Sequence, residues 1–318
     1  MGRPKEDFSK LCQGCNSPQP GLENIADKLA IPASSIEVLG EPSLGHFLSI
    51  AGLFRDNSPF AYSATDKGKI RAIARSHHNQ VLELPVNRDG GIQNLSGLRE
   101  GSVLSLQLAN GETGVIQDCA ELPATIRVAV DATTSGSRTP LPSHWNTALF
   151  DSLSWNGPAG LAIMAINNRS DYSYPLPHIA PISSPGSYSL PLLIASAIAL
   201  ENFKLENPAL RTVALSTLGS IEGVEVVAPN ASALPHLFSV VVLGVAGEPA
   251  IRELASLGFD VDSGSACSPE DLQPSHVLAA MGYETKGHLR FTLHPETTQE
   301  DILELATALK AVLQKLRG

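Results

Sequence analysis

Val128-Ala129-Val130-Asp131-Ala132-Thr133 is a short run of small and β-branched apolar residues that ends abruptly on a carboxylate. Such a run fits a strand buried on both faces. Working outward, similar apolar, β-rich runs occur at 36–39, 81–86, 103–108 and 161–166, and the strand around Asp131 itself covers 126–130. Between several of them lie helical patterns, one over 66–75 and a longer, mostly buried one over 191–203. Strands alternating with helices are the α/β signature. From about residue 205 the character changes, and 237–245 and 289–293 predict strands of a smaller α+β unit. Thr298-Gln299-Glu300-Asp301 predicts a capping box. The helix after it places Ile302, Leu305, Ala306, Leu309, Val312, Leu313 and Leu316 on one stripe. The expected organisation is an N-terminal segment 1–20, a large α/β domain 20–205 and a small C-terminal α+β domain 206–318.

Composition narrows the function classes. Hydrophobic residues make up 43% of the 318, enough for a sizeable core, and no apolar run is long enough for a membrane span. The formal net charge of −10, with no basic stripe, argues against nucleic acid as a partner. The opening Met1-Gly2-Arg3-Pro4-Lys5-Glu6-Asp7 lacks an apolar signal core, which predicts a cytoplasmic protein. Four cysteines do not make a disulfide scaffold at this length. The single Cys12/Cys15 pair, with no second pair nearby, is taken as two ordinary thiols.

A different cysteine carries the chemistry. Ser263-Gly264-Ser265-Ala266-Cys267 precedes Gln273-Pro274-Ser275-His276-Val277-Leu278, a short predicted helix with Pro274 in its first turn and Gly282 at its stop. Small neighbours leave the sulfur accessible, as a thiol that attacks as thiolate requires. Other segments stand beside it: Leu106-Gln107-Leu108-Ala109-Asn110-Gly111-Glu112-Thr113-Gly114, the Asp131 strand end, Gly157-Pro158-Ala159-Gly160, and His288-Leu289-Arg290-Phe291-Thr292-Leu293.

Together, in this order, these segments resemble the cysteine desulfurases of the class V aminotransferase family. The resemblance implies the fold of the PLP-dependent transferases (aminotransferase fold type I), with a mixed sheet in the large domain and a homodimeric assembly. It implies pyridoxal phosphate as cofactor and Cys267 as the catalytic thiol. Asp131 matches the carboxylate that faces the pyridine nitrogen and keeps the ring an electron sink. Asn110 matches a contact to cofactor or substrate, with a plain turn asparagine as the alternative. Arg290 matches the arginine that grips the substrate carboxylate, the alternative being a structural ion pair. Ser187 matches a threonine that reaches the cofactor phosphate from the partner subunit.

Other positions depart from the family. Leu153 and Ser154 stand where a histidine and the Schiff-base lysine are expected, and no lysine occurs between Lys69 and Lys204. Serine has no amine for an aldimine. The phosphate-binding segment is Gly40-Glu41-Pro42-Ser43-Leu44-Gly45-His46, in which Pro42 donates no N–H and Glu41 adds negative charge; Ser43 can replace part of the contact. Lys67 stands in place of the histidine that stacks on the ring, and Thr134 in place of a glutamine. The family's N-terminal A-T-T-P segment has no counterpart.

These departures predict a pseudoenzyme that has lost the cofactor or binds it weakly. Such a protein retains a sulfur-carrying or partner-binding role at Cys267, with a protein sulfur acceptor or an intact paralogue as partner. Two alternatives stand beside it: an active PLP enzyme that uses Lys67 as a displaced lysine, and a binding module for an amino acid or PLP adduct held by Asn110 and Arg290. His77-His78 is expected at a helix end and not at a metal, Cys119 as a packed thiol, and His276 as a surface histidine. Trp155 is expected to fill volume left by the cofactor.

Overall fold

The computed structural model describes residues 18–120, 122–263 and 274–318. Seven strands form one sheet: β1 (Ile36–Leu39), β2 (Phe60–Ser63), β3 (Val81–Leu84), β4 (Val103–Gln107), β5 (Arg127–Asp131), β6 (Thr147–Asp151) and β7 (Ala162–Ile166). Their order is β1-β7-β6-β5-β4-β2-β3. From β3 to β6 all neighbours are parallel, while β7 is antiparallel to both β6 and β1. This is the mixed sheet expected of the large domain. Every residue of β2, β4 and β7 is buried, and β7 is apolar throughout.

Helices α1 (Gln19–Leu29) and α4 (Leu190–Glu201) cover one face of this sheet, and α2 (Pro42–Ala51) and α3 (Gly68–Ser76) cover the other. Alternate strand residues serve the two faces: Val128 and Val130 pack toward α4, whereas Ala129 packs toward α2. Asp131, two residues beyond Ala129, lies on the α2 side.

The smaller unit is a three-stranded antiparallel sheet in the order β10-β9-β8, from β8 (Val224–Val226), β9 (Leu237–Val242) and β10 (His288–Thr292). Helices α5 (Pro208–Gly219), α6 (Gly247–Ser256) and α8 (Gln299–Arg317) pack on one face, around Phe238, Val240, Leu289 and Leu309. The expected capping box at Thr298 and Asp301 is present, and five members of the predicted α8 stripe are buried. On the other face, Val241 meets Val115 of the large domain and the short α7 (His276–Ala280). The turn after β4 is stitched into this seam by Ile116 N–H to Ser232 O (2.8 Å) and Leu234 N–H to Gly114 O (2.9 Å). Gly114 is required there: its φ is +75°, and a Cβ would run into the Leu237 carbonyl.

Several boundaries differ from the sequence expectation. β2, β6 and β8 lie outside the predicted strands, because runs of three to five residues flanked by proline or loop leave little periodicity to detect. The helix expected over 66–75 begins at Gly68, with Lys67 at its N-cap. Pro274 is not in the first turn of α7: Ser275 caps that helix by accepting the Leu278 N–H, and Pro274 precedes the cap. Trp155 is fully buried, but with α4, where its Nε1 donates to Ser196 Oγ (3.2 Å). That is the opposite face of the sheet from Asp131, so it fills no space beside that carboxylate.

Candidate functional site

The carboxyl ends of the parallel strands carry the polar groups, the usual place for a site in an α/β sheet. Asp131 closes β5 and is 5% exposed. The next turn satisfies one of its oxygens: Thr133 N–H (3.0 Å) and Oγ1 (2.6 Å) both donate to Oδ1. The other, Oδ2, faces His46 Nε2 at 3.2 Å and Lys67 Nζ at 2.9 Å. Lys67 also donates to Oδ1 at 3.2 Å and to Thr133 Oγ1. Burial alone would push the Asp131 pKa up; the adjacent Lys67 charge and the His46 and Thr133 hydrogen bonds hold it well below the usual range. His46 Nδ1 points at the Pro42 carbonyl at 3.1 Å. Both ring nitrogens therefore face acceptors.

Two more carboxyls stand at this end. Asp66 is fully buried, and its pKa is pushed up to about 8 by burial, with the Ser63 N–H opposing and nearby Asp131 reinforcing. Burial thus favours its neutral form. Asp151 closes β6 and accepts the Leu153 N–H at 3.0 Å. Burial raises its pKa, against that hydrogen bond and the charges of Lys67, His46 and Lys69.

The first turn of α2 has its own carboxylate. Glu41 is the N-cap, and its Oε1 accepts the Ser43 N–H at 2.7 Å, which lowers the Glu41 pKa. Ser43 Oγ in turn accepts from Lys69 Nζ. Ser187 lies at the same place within its own chain, its carbonyl packed against Gly40.

Ser154 sits in a 3₁₀ turn after β6, where its Oγ donates to the Asp151 carbonyl (2.7 Å). Gly136, in the turn beyond Asp131, packs directly on that hydroxyl. Arg138 donates to the Ser154 carbonyl (2.5 Å) and holds Glu206 at 2.5 and 2.9 Å. Both charged side chains are almost fully buried, and the Arg138 guanidinium lies over the Phe203 ring.

The remaining sequence-predicted residues converge at the seam between the domains. Asn110 is buried, and its amide is fully used: Nδ2 donates to Thr65 O (3.2 Å) and Gln107 Oε1 (2.9 Å), while Oδ1 accepts from Glu112 N, Thr113 N and Thr113 Oγ1. This is the role of a turn asparagine. Thr134 Oγ1 faces Gly111 in the same turn. Arg290 is ion-paired with Asp262 and donates to the Gly111 carbonyl at 3.3 Å. His276 is not a plain surface histidine, since its Nε2 lies 2.9 Å from the Asp66 carbonyl. Cys119 is half-buried, with burial first and Asp118 second pushing its thiol up to about 11, as expected of an inert, packed cysteine. Cys267, Cys12 and Cys15 lie outside the described residues. Among the described residues no group of three or more His, Cys, Asp or Glu side chains is arranged for a metal, and no helix is long and apolar enough to cross a membrane.

Sequence reasoning brought Asp131 and Lys67 to one place but missed His46, Asp66, Glu112 and the Arg138–Glu206 pair. His46 is 85 positions from Asp131, so no spacing rule connects them.

Comparison with known proteins agrees with this architecture. The model of the class V aminotransferase family matches residues 181–305. A cysteine desulfurase IscS of Dictyoglomus turgidum is 27% identical over 299 residues, covering 81% of this chain and 75% of the relative. A cysteine desulfurase IscS of Vibrio atlanticus is 27% identical, covering 93% and 81%. The solved structure of the cysteine desulfurase CsdA of Escherichia coli superposes with a TM-score of 0.79 at 17% identity, covering 99% of this chain and 88% of that one. A NifS-like protein gives 0.77 at 20% identity, covering 94% and 88%. Over residues 181–305 the chain is thus similar to the class V aminotransferase family, and over most of its length to cysteine desulfurases whose fold it shares.

Proposed function

We propose that this protein is a desulfurase homologue that does not run pyridoxal phosphate chemistry and works through partner binding or sulfur carriage at Cys267. The observation that carries this reading is the Lys67 ammonium seated on Asp131 at 2.9 Å. In the family arrangement Asp131 faces the pyridine nitrogen; here its outward oxygen is already neutralised by an internal cation. The other cofactor contacts fit no better. Glu41 accepts the first free N–H of α2, the donor that a phosphate would need, and puts a carboxylate in its place. Ser154 has no amine, and its hydroxyl is bonded to the Asp151 carbonyl. The residues present do not fit the cofactor, which accounts for its proposed loss or weak binding.

The displaced-lysine alternative is disfavoured by the same contact. A Schiff-base lysine must be free to reach the cofactor aldehyde, and Lys67 Nζ is engaged by Asp131 and Thr133. The amino-acid-binding alternative meets an Arg290 already paired with Asp262 and an Asn110 with both amide protons committed.

Sulfur carriage needs no cofactor. The Cys267 thiolate attacks the outer sulfur of a donor persulfide, a new S–S bond forms, and the donor departs as a thiolate. We place the protein in the cytoplasm as a homodimer, or paired with an intact paralogue, with a protein sulfur acceptor as partner. The test is the absorbance of purified protein after incubation with pyridoxal phosphate and dialysis, then with cysteine. Free-cofactor absorbance only, with no sulfide released from cysteine, is expected. A retained aldimine band that shifts with cysteine overturns the reading. Borohydride reduction and peptide mapping would then identify the lysine.

A further inference from the structure

The seam between the domains holds a second polar cluster. Ser239 of β9 is fully buried, and its Oγ donates to the Glu112 carbonyl at 2.8 Å. A carbonyl only accepts, so the hydroxyl proton is committed there. The same Oγ lies 2.8 Å from His288 Nε2, and with its proton committed it can only accept. His288 therefore carries its proton on Nε2 and presents a bare lone pair at Nδ1. That nitrogen is buried and has no hydrogen-bond partner. Facing it at 3.8 Å is Glu112 Oε2, which itself accepts from Ser275 Oγ at 2.5 Å. Two acceptors thus confront each other in a buried seam, one proton short of a hydrogen bond. Serine, histidine and acid stand here in the order of a hydrolase triad, but the serine is inaccessible and its proton points away from the imidazole, so the arrangement is not a nucleophile.

We propose that Glu112 and His288 form a one-proton latch between the domains. When the pair holds a single proton, the Glu112 carboxyl donates to His288 Nδ1 and fastens the turn after β4 to β10. When it holds none, two lone pairs oppose each other across the seam. Closing the gap from 3.8 Å to hydrogen-bond length needs only a small rotation of the Glu112 side chain. This inference is independent of the fate of the cofactor.

The charged and titratable groups around the pair come from every element packed on it. They are His276 on α7, Arg290 on β10, and Asp262, which is already paired with Arg290. Burial, above all, raises the Glu112 pKa, with Ser275, His276 and Arg290 opposing. Burial, then Arg290, lowers that of His288 to about 4. The first proton therefore goes to Glu112. Its folded value is above the unfolded 4.5, so its contribution to stability is full below 4.5 and is lost as pH rises through the folded value. His288 runs the other way: its contribution is present above 6.5 and is lost as pH falls through about 4.

Glu112→Gln separates the two. The amide mimics the protonated carboxyl, donating to Nδ1 at every pH while still accepting from Ser275. The expected result is a higher Tm than wild type at about pH 8 and a difference that shrinks toward about pH 5. A lower Tm at the higher pH, with the wild-type pH profile unchanged, overturns the latch. Nitrogen-15 NMR of the wild-type His288 ring is the second readout, and it needs no variant. The proton is expected on Nε2 with Nδ1 as acceptor; a proton on Nδ1 at neutral pH refutes the proposal.

Discussion

The Asp131 centre and the Glu112 seam are both buried and polar, and both lie near the carboxyl ends of the large-domain strands, yet they handle charge in opposite ways. At Asp131 a carboxylate has gathered every donor in reach: Lys67, His46, and the backbone and hydroxyl of Thr133. At Glu112 a carboxyl faces the lone pair of His288 with no proton between them. The difference teaches that one fold can bury a carboxylate either by surrounding it with donors or by facing it with another acceptor.

The comparison breaks most decisively at Lys67. Lys67→Met leaves Asp131 buried without its nearest cation, and removing one partner of a buried ion pair costs about 3–5 kcal/mol. The lysine side chain is 29% exposed, so water can replace part of it and the lower end applies. The pH dependence identifies the cause. In the wild type Asp131 is held below its ordinary 3.8, so its contribution is present above that value and is lost as pH falls through the folded one. Lys67→Met weakens that contribution, leaving only His46 and Thr133 to hold the carboxylate, and its destabilisation shrinks in acid, where the carboxyl takes a proton. Chemical denaturation across pH checks this. An unchanged stability at neutral pH would mean that Lys67 is free, and with it the displaced-lysine alternative returns.

A somewhat smaller effect is expected at the seam. Gly114→Ala forces a side chain into a left-handed φ of +75° and against the Leu237 carbonyl. Together these cost about 2–3 kcal/mol. Because the strain falls on the turn that carries Glu112, hydrogen exchange should rise first at the Ile116 and Leu234 amides that stitch the domains, and not at β5. Uniform loss of protection would mean that the two regions unfold together.

The two regions were not equally legible in the sequence. Asp131 stood out because an apolar β-run ends on it, and Lys67 and Ser154 because they replace residues of known role in a resembling family. The strand pattern gave five of the seven large-sheet strands, and the long stripe after Thr298 gave α8 with its cap. What stayed hidden depends on contacts between distant positions. Arg138 and Glu206 are 68 residues apart, Glu112 and Ser275 are 163 apart, and nothing local distinguishes either pair from solvated charges. The raised pKa values of Asp66 and Glu112 were invisible for the same reason, since they follow from burial and not from residue type. Asn110 shows the converse: the family pattern predicts a ligand contact, whereas the turn takes both of its amide protons.

Asp66 joins the two regions and offers the finest test of the contrast. By position it belongs to the Asp131 centre, one residue before Lys67; its carbonyl receives His276 from the α7 side of the seam. By chemistry it resembles Glu112, a carboxyl whose pKa burial raises. Its Oδ2 accepts the Ser63 N–H at 3.0 Å and its Oδ1 has no hydrogen-bond partner. The folded value of about 8 lies above the unfolded 3.8, so stability from this group is full below 3.8 and falls away as pH rises toward 8. Asp66→Asn replaces the neutral acid with a neutral isostere that never ionises. The variant should match the wild type in acid and exceed it by about 1–2 kcal/mol near neutrality, because there the wild-type carboxyl must take up a proton to fold and the amide need not. The measurement is the pH profile of unfolding free energy for both proteins. If Asp66→Asn is instead destabilised equally at every pH, Asp66 is ionised in the fold. The centre would then hold two buried carboxylates, with Lys67 and His46 serving both.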